Sequence, residues 1–499
     1  MSKVIPLHKK DDVLNPKNYR PVSILPILSK IIERAIYIQL IKYLEENKLL
    51  HPSHHGFRSH HSCTTALIQM YDQWIEAMDS KEYSGVCLID MSAAFDMVNH
   101  GLLIQKLELY GFDQSSLSWI SSYLSGRKQC VSIDGILSKF LSVTIGVPQG
   151  SILGPIFYII YTNDLPEIVH DHDQYEHSKS LNCIQCGGIF CFADDSTYSC
   201  SGTTSAKIIE KLENNYNKIS EYMDANRLKL NGDKIHLMLM MNDQARRSNP
   251  DIKISLKIEN EIIETSETEK MLGGFIHQNL KWTEHIQNNK ESLIRSLTTR
   301  LHALYKICHI SNFKTRKMIA EGIFSSKLIY LMPLWGGCEL YLISSLQTIQ
   351  NKAARAVTKL GWYTTTEELL KQCGWLSVNQ LIVYHTLILV YKVISHKSPV
   401  YLHNKITTEF AYPTRMWTHF KDGNIDTNLR VRPNQDTSHL ITSRSFRWRS
   451  SKLWNALPVE LQHCKSLDNF KSTLKTWIKQ NVPIKISKDS ENCQAIPMT

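Results

Sequence analysis

Two adjacent aspartates, Asp194 and Asp195, sit in "GGIFCFADDSTYSC" (residues 187–200) between two short runs of strand-forming residues. Aspartate is a common turn residue, so the pair alone says no more than a β-hairpin. A third carboxylate, Asp90, ends the apolar run at 86–89 in "YSGVCLIDMSAAFDMVNHGLLIQKL". A strand that is apolar up to its last residue leaves Asp90 partly buried, where an unpaired charge needs a hydrogen-bonding or metal partner. If this strand lies beside the hairpin in one antiparallel sheet, the three carboxylates converge. Left bare they would raise one another's pKa values, whereas divalent cations reverse that logic. Hard oxygen ligands suit Mg²⁺, which takes one or two carboxylates plus substrate phosphates. The arrangement suits two-metal phosphoryl transfer, with ions about 3.5–4 Å apart. The following Asp96 reads as a helix cap or salt-bridge partner.

The elements that must hold these residues are legible in outline. "TIGVPQGSILGPIFYIIYTNDL" carries a Gly-Val-Pro-Gln-Gly loop that should open a helix with Ile152, Ile156, Ile159 and Ile160 on its core face. Gly146, Pro148 and Gly150 shape a loop that presents backbone N–H groups and Gln149, suited to a phosphate or a base edge. The 499 residues are enough for several domains with real cores, and no repeat or low-complexity tract interrupts them. Twelve scattered cysteines and an N-terminus without an apolar stretch predict a reducing, intracellular setting. The segment "LIVYHTLILVYKVI" from Leu381 is interrupted by His385 and Lys392 and predicts a buried element rather than a membrane span.

The formal charge of +10 is unevenly placed. Residues 1–280 hold 27 Lys and Arg against 33 Asp and Glu, a net of −6; residues 281–499 hold 30 against 14, a net of +16. Such asymmetry favours a polyanionic partner such as nucleic acid. In the basic part, a helix from Thr283 should bury Leu293, Leu297, Leu301 and Leu304, with Lys290, Arg295 and Arg300 elsewhere. A second, from Ile343, should bury Leu346, Ile349, Ala353, Val357 and Leu360 while Lys352, Arg355 and Lys359 stay wet. Farther on, Ser466 should cap a helix with Leu467, Phe470, Leu474, Trp477 and Ile478 on one face, and Trp448 and Trp454 read as core.

In order and spacing, "NPKNYRPVSILPILSKIIERAI", "HHGFRSHHSCTTAL", "LIDMSAAFDMVNH", "GVPQGSILGP", "FADD", "NRLKLNGDK" and "KMLGGFIHQNLKW" resemble the successive motifs of a reverse transcriptase of non-LTR (LINE-type) retrotransposons, most like the jockey group. The later "SFRWRSSKLWNALPVELQHCKSLDNFKSTL" resembles the C-terminal segment of the same elements. The resemblance implies an α/β (α+β) right-hand polymerase. Fingers and a palm with an antiparallel sheet would occupy residues 1–282, a helical thumb 283–400, a small, mostly helical C-terminal domain 401–482 and a loose tail 483–499.

Carried onto this sequence, the resemblance makes Asp90, Asp194 and Asp195 the catalytic metal site, with the Met91 carbonyl as an extra ligand for two Mg²⁺ ions, Mn²⁺ being an alternative. Phe95 would gate the incoming sugar, and Gln149 with Gly150 would touch the nucleotide or templating base. Arg20 with Lys9 or Lys10 would hold the triphosphate, and Lys234 would protonate the leaving pyrophosphate. Arg58 would lie along the template, and Phe192, Gly273, Lys290, Arg295, Lys352 and Arg355 would contact template–primer. Phe192 stands where the family often has Tyr, keeping the aromatic body without the hydroxyl. The implied partners are an RNA template, a DNA primer or target DNA, and dNTPs, without a membrane. The implied setting is a cytoplasmic ribonucleoprotein and the nucleus at target DNA.

These elements normally carry an endonuclease ahead of the polymerase, and the expectation is that this chain lacks one. Two competing readings share part of the evidence: a decayed or co-opted binder of element RNA, and an RNA-templated RNA polymerase, which Phe95 disfavours. His170, His172 and His177 near Cys183 and Cys186 offer zinc ligands without a second spaced pair, so a polar loop is expected there.

Overall fold

The apolar, β-prone residues around Val86 form the strand on which the first half of the molecule is built. The computed structural model describes residues 1–9, 12–169, 188–249, 252–258, 261–407 and 444–484. They divide into two compact units, one made of residues 1–59, 83–239 and 251–265, the other of 60–82, 240–250 and 266–499. The boundary expected at 282 is therefore not where the units part. The excursion at 60–82 belongs with the second unit because its helix, Cys63–Asp79, is buried along most of its length there. That helix packs on the helices Met332–Trp335, Val400–Thr407 and Phe446–Asn455.

In the first unit the principal strands are β1 (Ser2–His8), β2 (Tyr19–Ile24), β3 (Tyr83–Asp90), β4 (Lys128–Ile133), β5 (Gly188–Phe192), β6 (Asp195–Gly202) and β7 (His236–Met240). The central sheet has the order β5-β6-β3-β7. As expected, β3 and β6 are antiparallel, with Tyr83 opposite Gly202 and Asp90 opposite Asp195. β5 and β6 form the predicted hairpin, closing with Phe192 opposite Asp195. Val86, Cys87, Ile89, Tyr198 and Cys200 are buried in this sheet. The helix Ser205–Ala225 packs on β3 and β6 through Ile208 and Leu212. A second sheet pairs β1 antiparallel to β2 and parallel to β4.

The helix opened by the Gly-Val-Pro-Gln-Gly loop starts at Gly154, four residues past Gly150 and after Ile152, and runs to Thr162. The delay has a local cause. Ser151 Oγ accepts from Gly154 N–H at 2.9 Å and donates to Pro148 C=O at 2.9 Å, so a side-chain turn satisfies the entry before the helix begins. Ile156, Ile159 and Ile160 are buried, and Ile152 precedes the helix.

The second unit is mainly helical, with one hairpin of β8 (Thr268–Met271) and β9 (Gly274–His277) described in it. The helix expected from Thr283 is broken: Glu284–Asn288 is a single π turn, and the α-helix proper is Leu293–Cys308. Its leucine face is as expected, with Leu293, Leu297, Leu301 and Leu304 buried. The next basic helix, Leu340–Thr358, buries Leu346, Ile349, Ala353 and Val357. Leu360 falls beyond it because Lys359 turns left-handed at φ 62°.

Val378–His396 is long and apolar enough by composition to cross a membrane, yet most of it is buried against Phe446–Asn455 and Leu467–Asn481. Burial of the His385 ring holds its pKa down to about 4. Ser466 accepts from Asn469 N–H as the predicted cap, and Phe470, Leu474 and Ile478 are buried. Trp454 is core, whereas Trp448 is half-buried with Lys452 Nζ 3.7 Å from its ring centre.

Candidate active site

The β3–β6 register sets the site. Asp90 closes β3, Asp195 opens β6 directly across from it, and Asp194 occupies the two-residue turn between β5 and β6. Ala193, the other turn residue, has φ +59°, a left-handed conformation that costs a non-glycine residue and holds Asp194 at the tip. Asp90 and Asp194 line a cavity of about 1180 Å³ together with Lys9, Arg20, Met91, Phe95, Asp96, Gln149, Gly150 and Lys234. Asp195 lies beside that wall with an exposed face. Partial desolvation, then the charges of Asp194 and Asp90, push its pKa up to about 6, opposed by Lys234. Phe192 is half-buried at the end of β5.

Lys234 comes from a short 3-10 turn, Gly232–Lys234, and its Nζ meets Asp90 Oδ2 at 2.6 Å. The same turn is tied to β3 by Asn231 N–H donating to Asp90 C=O at 3.0 Å. Phe95 lies on the turn Ala94–Asp96, entered through Ala93 at φ 49°. Its ring packs 4.8 Å from that of Tyr158 and edge-on to Phe57 at 6.2 Å.

The Gly-Val-Pro-Gln-Gly loop is fastened to the Phe95 turn: Val147 N–H donates to Phe95 C=O and Gly146 N–H to Val98 C=O, both at 2.8 Å. Asp96 is neither the cap nor the salt-bridge partner expected. It is part of the cavity wall, and its Oδ2 accepts from Gln149 Nε2 at 2.8 Å. Burial pushes its pKa up, against the Gln149 hydrogen bond and the charge of Lys9. Gly150 has φ +117°, and a Cβ there would lie 2.7 Å from Ser23 C=O on β2, so only glycine fits.

Sequence reasoning missed Glu33. It is 1% exposed on the helix Ile27–Glu46, where it accepts from Ile152 N–H at 2.7 Å and Ser29 Oγ at 3.0 Å. It thereby anchors the segment just after Gln149 and Gly150. The available signal was its spacing with Leu40 and Leu44, the other buried residues of that helix.

Arg58 does not lie along an open template path. Its side chain is 8% exposed, pairs through Nε and Nη2 with the Glu45 carboxylate at 3.2 and 3.1 Å, and donates to His51 and His54 carbonyls. All three guanidinium nitrogens are committed internally. Lys10 and the candidate zinc residues His170, His172, His177, Cys183 and Cys186 lie outside the described residues.

In the second unit, Gly273 (φ 79°) and Leu272 (φ 45°) make the two-residue turn of the β8–β9 hairpin, and Tyr330 Oη donates to Leu272 C=O at 2.6 Å. Gly273, Lys290 and Arg295 line a cavity of about 320 Å³ with Lys270, His285 and Lys327. Lys327 has its pKa lowered by burial and then by Arg300 and Lys270. Lys352 is exposed on Leu340–Thr358. Arg355 is not left wet: it is half-buried and donates from Nη2 to the carbonyls of Trp362 and Thr364 at 3.1 and 3.2 Å.

Among the described residues no group of three or more His, Cys, Asp or Glu is already disposed to hold a metal ion. Two carboxylates on one polar wall still fit Mg²⁺, which binds through one or two carboxylates completed by substrate phosphates and water. The charge crowding felt by Asp195 is what a bound cation would relieve.

A family model described as "Reverse transcriptase (RNA-dependent DNA polymerase)" matches residues 7–282. Among curated proteins, the chain is 27% identical over 356 residues to the "Probable RNA-directed DNA polymerase from transposon X-element" of Drosophila melanogaster, covering 71% of this chain and 37% of that protein. It is 26% identical over 359 residues to the "RNA-directed DNA polymerase from mobile element jockey" of Drosophila funebris, again covering 71% and 37%. The chain thus spans well under half the length of these relatives. Among solved structures, apo telomerase from Candida tropicalis aligns over 80% of this chain and 67% of its own, at 12% identity and a TM-score of 0.42.

Proposed function

Because this chain belongs to the reverse transcriptase family, we propose that it is the RNA-directed DNA polymerase of a non-LTR retrotransposon, extending a DNA primer 3′-hydroxyl on an RNA template. The observation that carries this reading is the single cleft in which Asp90, Asp194, Phe95, Gln149, Arg20, Lys9 and Lys234 share a wall.

Asp90 and Asp194, with Asp195 beside them and the Met91 carbonyl, would hold two Mg²⁺ ions, whose chemistry is to neutralise charge on the attacking and leaving oxygens. Arg20 and Lys9, which line the same cleft, would supply positive charge for the triphosphate. Phe95 presents a rigid ring to the sugar, and Asp96 holds the Gln149 amide by its nitrogen. As the primer 3′-hydroxyl oxygen bonds to the α-phosphorus, its proton passes to solvent water and the bond from that phosphorus to the bridging oxygen of pyrophosphate breaks. The leaving group then takes a proton, which the Lys234 ammonium beside Asp90 would give, and its ion pair with Asp90 supports that role.

The RNA template, the DNA primer or target and the dNTPs are the proposed partners, and the proposed setting is a cytoplasmic ribonucleoprotein and the nucleus at target DNA. The test is extension of a DNA primer annealed to RNA by the purified chain with dNTPs and Mg²⁺. A folded protein that binds this template–primer without extending it favours the RNA-binder reading instead.

A further inference from the structure

Trp362 and Tyr363 are 71% and 99% exposed, in a short loop between the helices Leu340–Thr358 and Thr366–Cys373. Large aromatics side by side in water are unusual, because their rings bring most when buried. This loop is built. Arg355 donates to the carbonyls of Trp362 and Thr364, and its guanidinium lies 5.0 Å from the centre of the Trp362 ring, backing one face and leaving the other open. Tyr305, itself 39% exposed, feels the Arg355 charge from the neighbouring helix Leu293–Cys308.

Charge says what would cover it. Lys352 and Arg355 stand three residues apart on the last turns of the helix, and Lys359, the left-handed residue that ends it, leads into the loop. From residue 300 to 362 the chain carries nine Lys and Arg against two Glu. The acids near in sequence, Glu367 and Glu368, open the following helix. An apolar protein partner would need no such charge, whereas a polyanion with exposed π-faces needs both features.

We propose that loop 361–364 is a stacking platform for unpaired bases of a single-stranded nucleic acid, with Lys352 and Lys359 tracking its phosphates. The choice of partner class rests on the polymerase reading, but none of these residues is among those assigned to catalysis.

The test uses the full chain and anisotropy of a labelled uridine oligomer of about 20 nucleotides, an abasic strand of equal length and a hairpin duplex. Trp362→Ala and Tyr363→Ala should each weaken the uridine oligomer about tenfold, with the log–log salt slope unchanged, since stacking releases no counterions. Trp362→Phe should stay close to wild type, and on the abasic strand all variants should match wild type. Unchanged affinity for the uridine oligomer, equal losses on the abasic strand or duplex, or wild type binding the abasic strand as well as the uridine oligomer would each overturn the proposal. Extension of a short template–primer by these variants should equal wild type; loss of extension in wild type overturns the catalytic reading and leaves the platform standing.

Discussion

Asp90 and Asp195 are direct cross-strand partners in the β3–β6 pair, at the end of a register that begins with Tyr83 opposite Gly202. Like charges in that position repel, and the structure answers with Lys234 on Asp90 and a raised pKa on Asp195. A sheet arranged for stability alone would place a neutral pair there, so this crowding marks where binding chemistry has been favoured over folding.

The pKa of about 6 at Asp195 lies above its ordinary value of 3.8, so the folded state holds this proton more tightly than the unfolded chain. Its contribution to stability is therefore complete below about pH 4 and lost as pH rises through about 6. In EDTA, Asp195→Asn should raise the melting temperature at pH 8, with the gain fading toward pH 4. A gain independent of pH would show that repulsion at this pair is not its source.

Replacing Phe95 by Ala should admit ribonucleotides, because the ring held by Tyr158 and Phe57 would otherwise meet a 2′-hydroxyl. The ratio of rNTP to dNTP incorporation should rise at least tenfold. An unchanged ratio would leave Phe95 as packing alone.

Arg58 and Glu33 should behave as structural charges. Arg58→Ala strands the Glu45 carboxylate and two carbonyls, and Glu33→Ala strands Ile152 N–H, so each should cost roughly 2–4 kcal/mol in urea denaturation. The salt dependence of nucleic-acid binding should not move with Arg58→Ala. A shallower slope at full stability would return Arg58 to the template path.

The basic second unit is best tested by point changes rather than by cutting at 282, because residues 60–82 would lose the elements that bury them. Lys290→Ala, Arg295→Ala and Lys352→Ala should each lower the log–log salt slope for template–primer by about 0.7–0.9 if each meets one phosphate. Equal slopes would mark these side chains as ordinary solvated surface.

What was legible in the sequence was what repeats or alternates. The apolar run ending in Asp90, the hairpin around Asp194 and the leucine spacing from 293 to 304 each encode a local element whose burial the fold then repeats. What was hidden depends on distant partners. Nothing near Arg58 announces Glu45, nothing near Glu33 announces Ile152, and Asp96 looks like a cap until the loop carrying Gln149 is folded against it. The excursion at 60–82 was equally hidden, because its helix is buried over consecutive residues from Thr65 to Asp72 among elements more than 200 residues away.

The most direct measurement is primer extension by Asp194→Asn on a DNA primer annealed to RNA, with Mg²⁺ and dNTPs, alongside binding of the same template–primer. The substitution removes one carboxylate from the cleft wall while keeping its size and the turn that carries it. The account predicts extension reduced to background with template–primer affinity and melting temperature within error of wild type. Extension at the wild-type rate by the folded variant would contradict it.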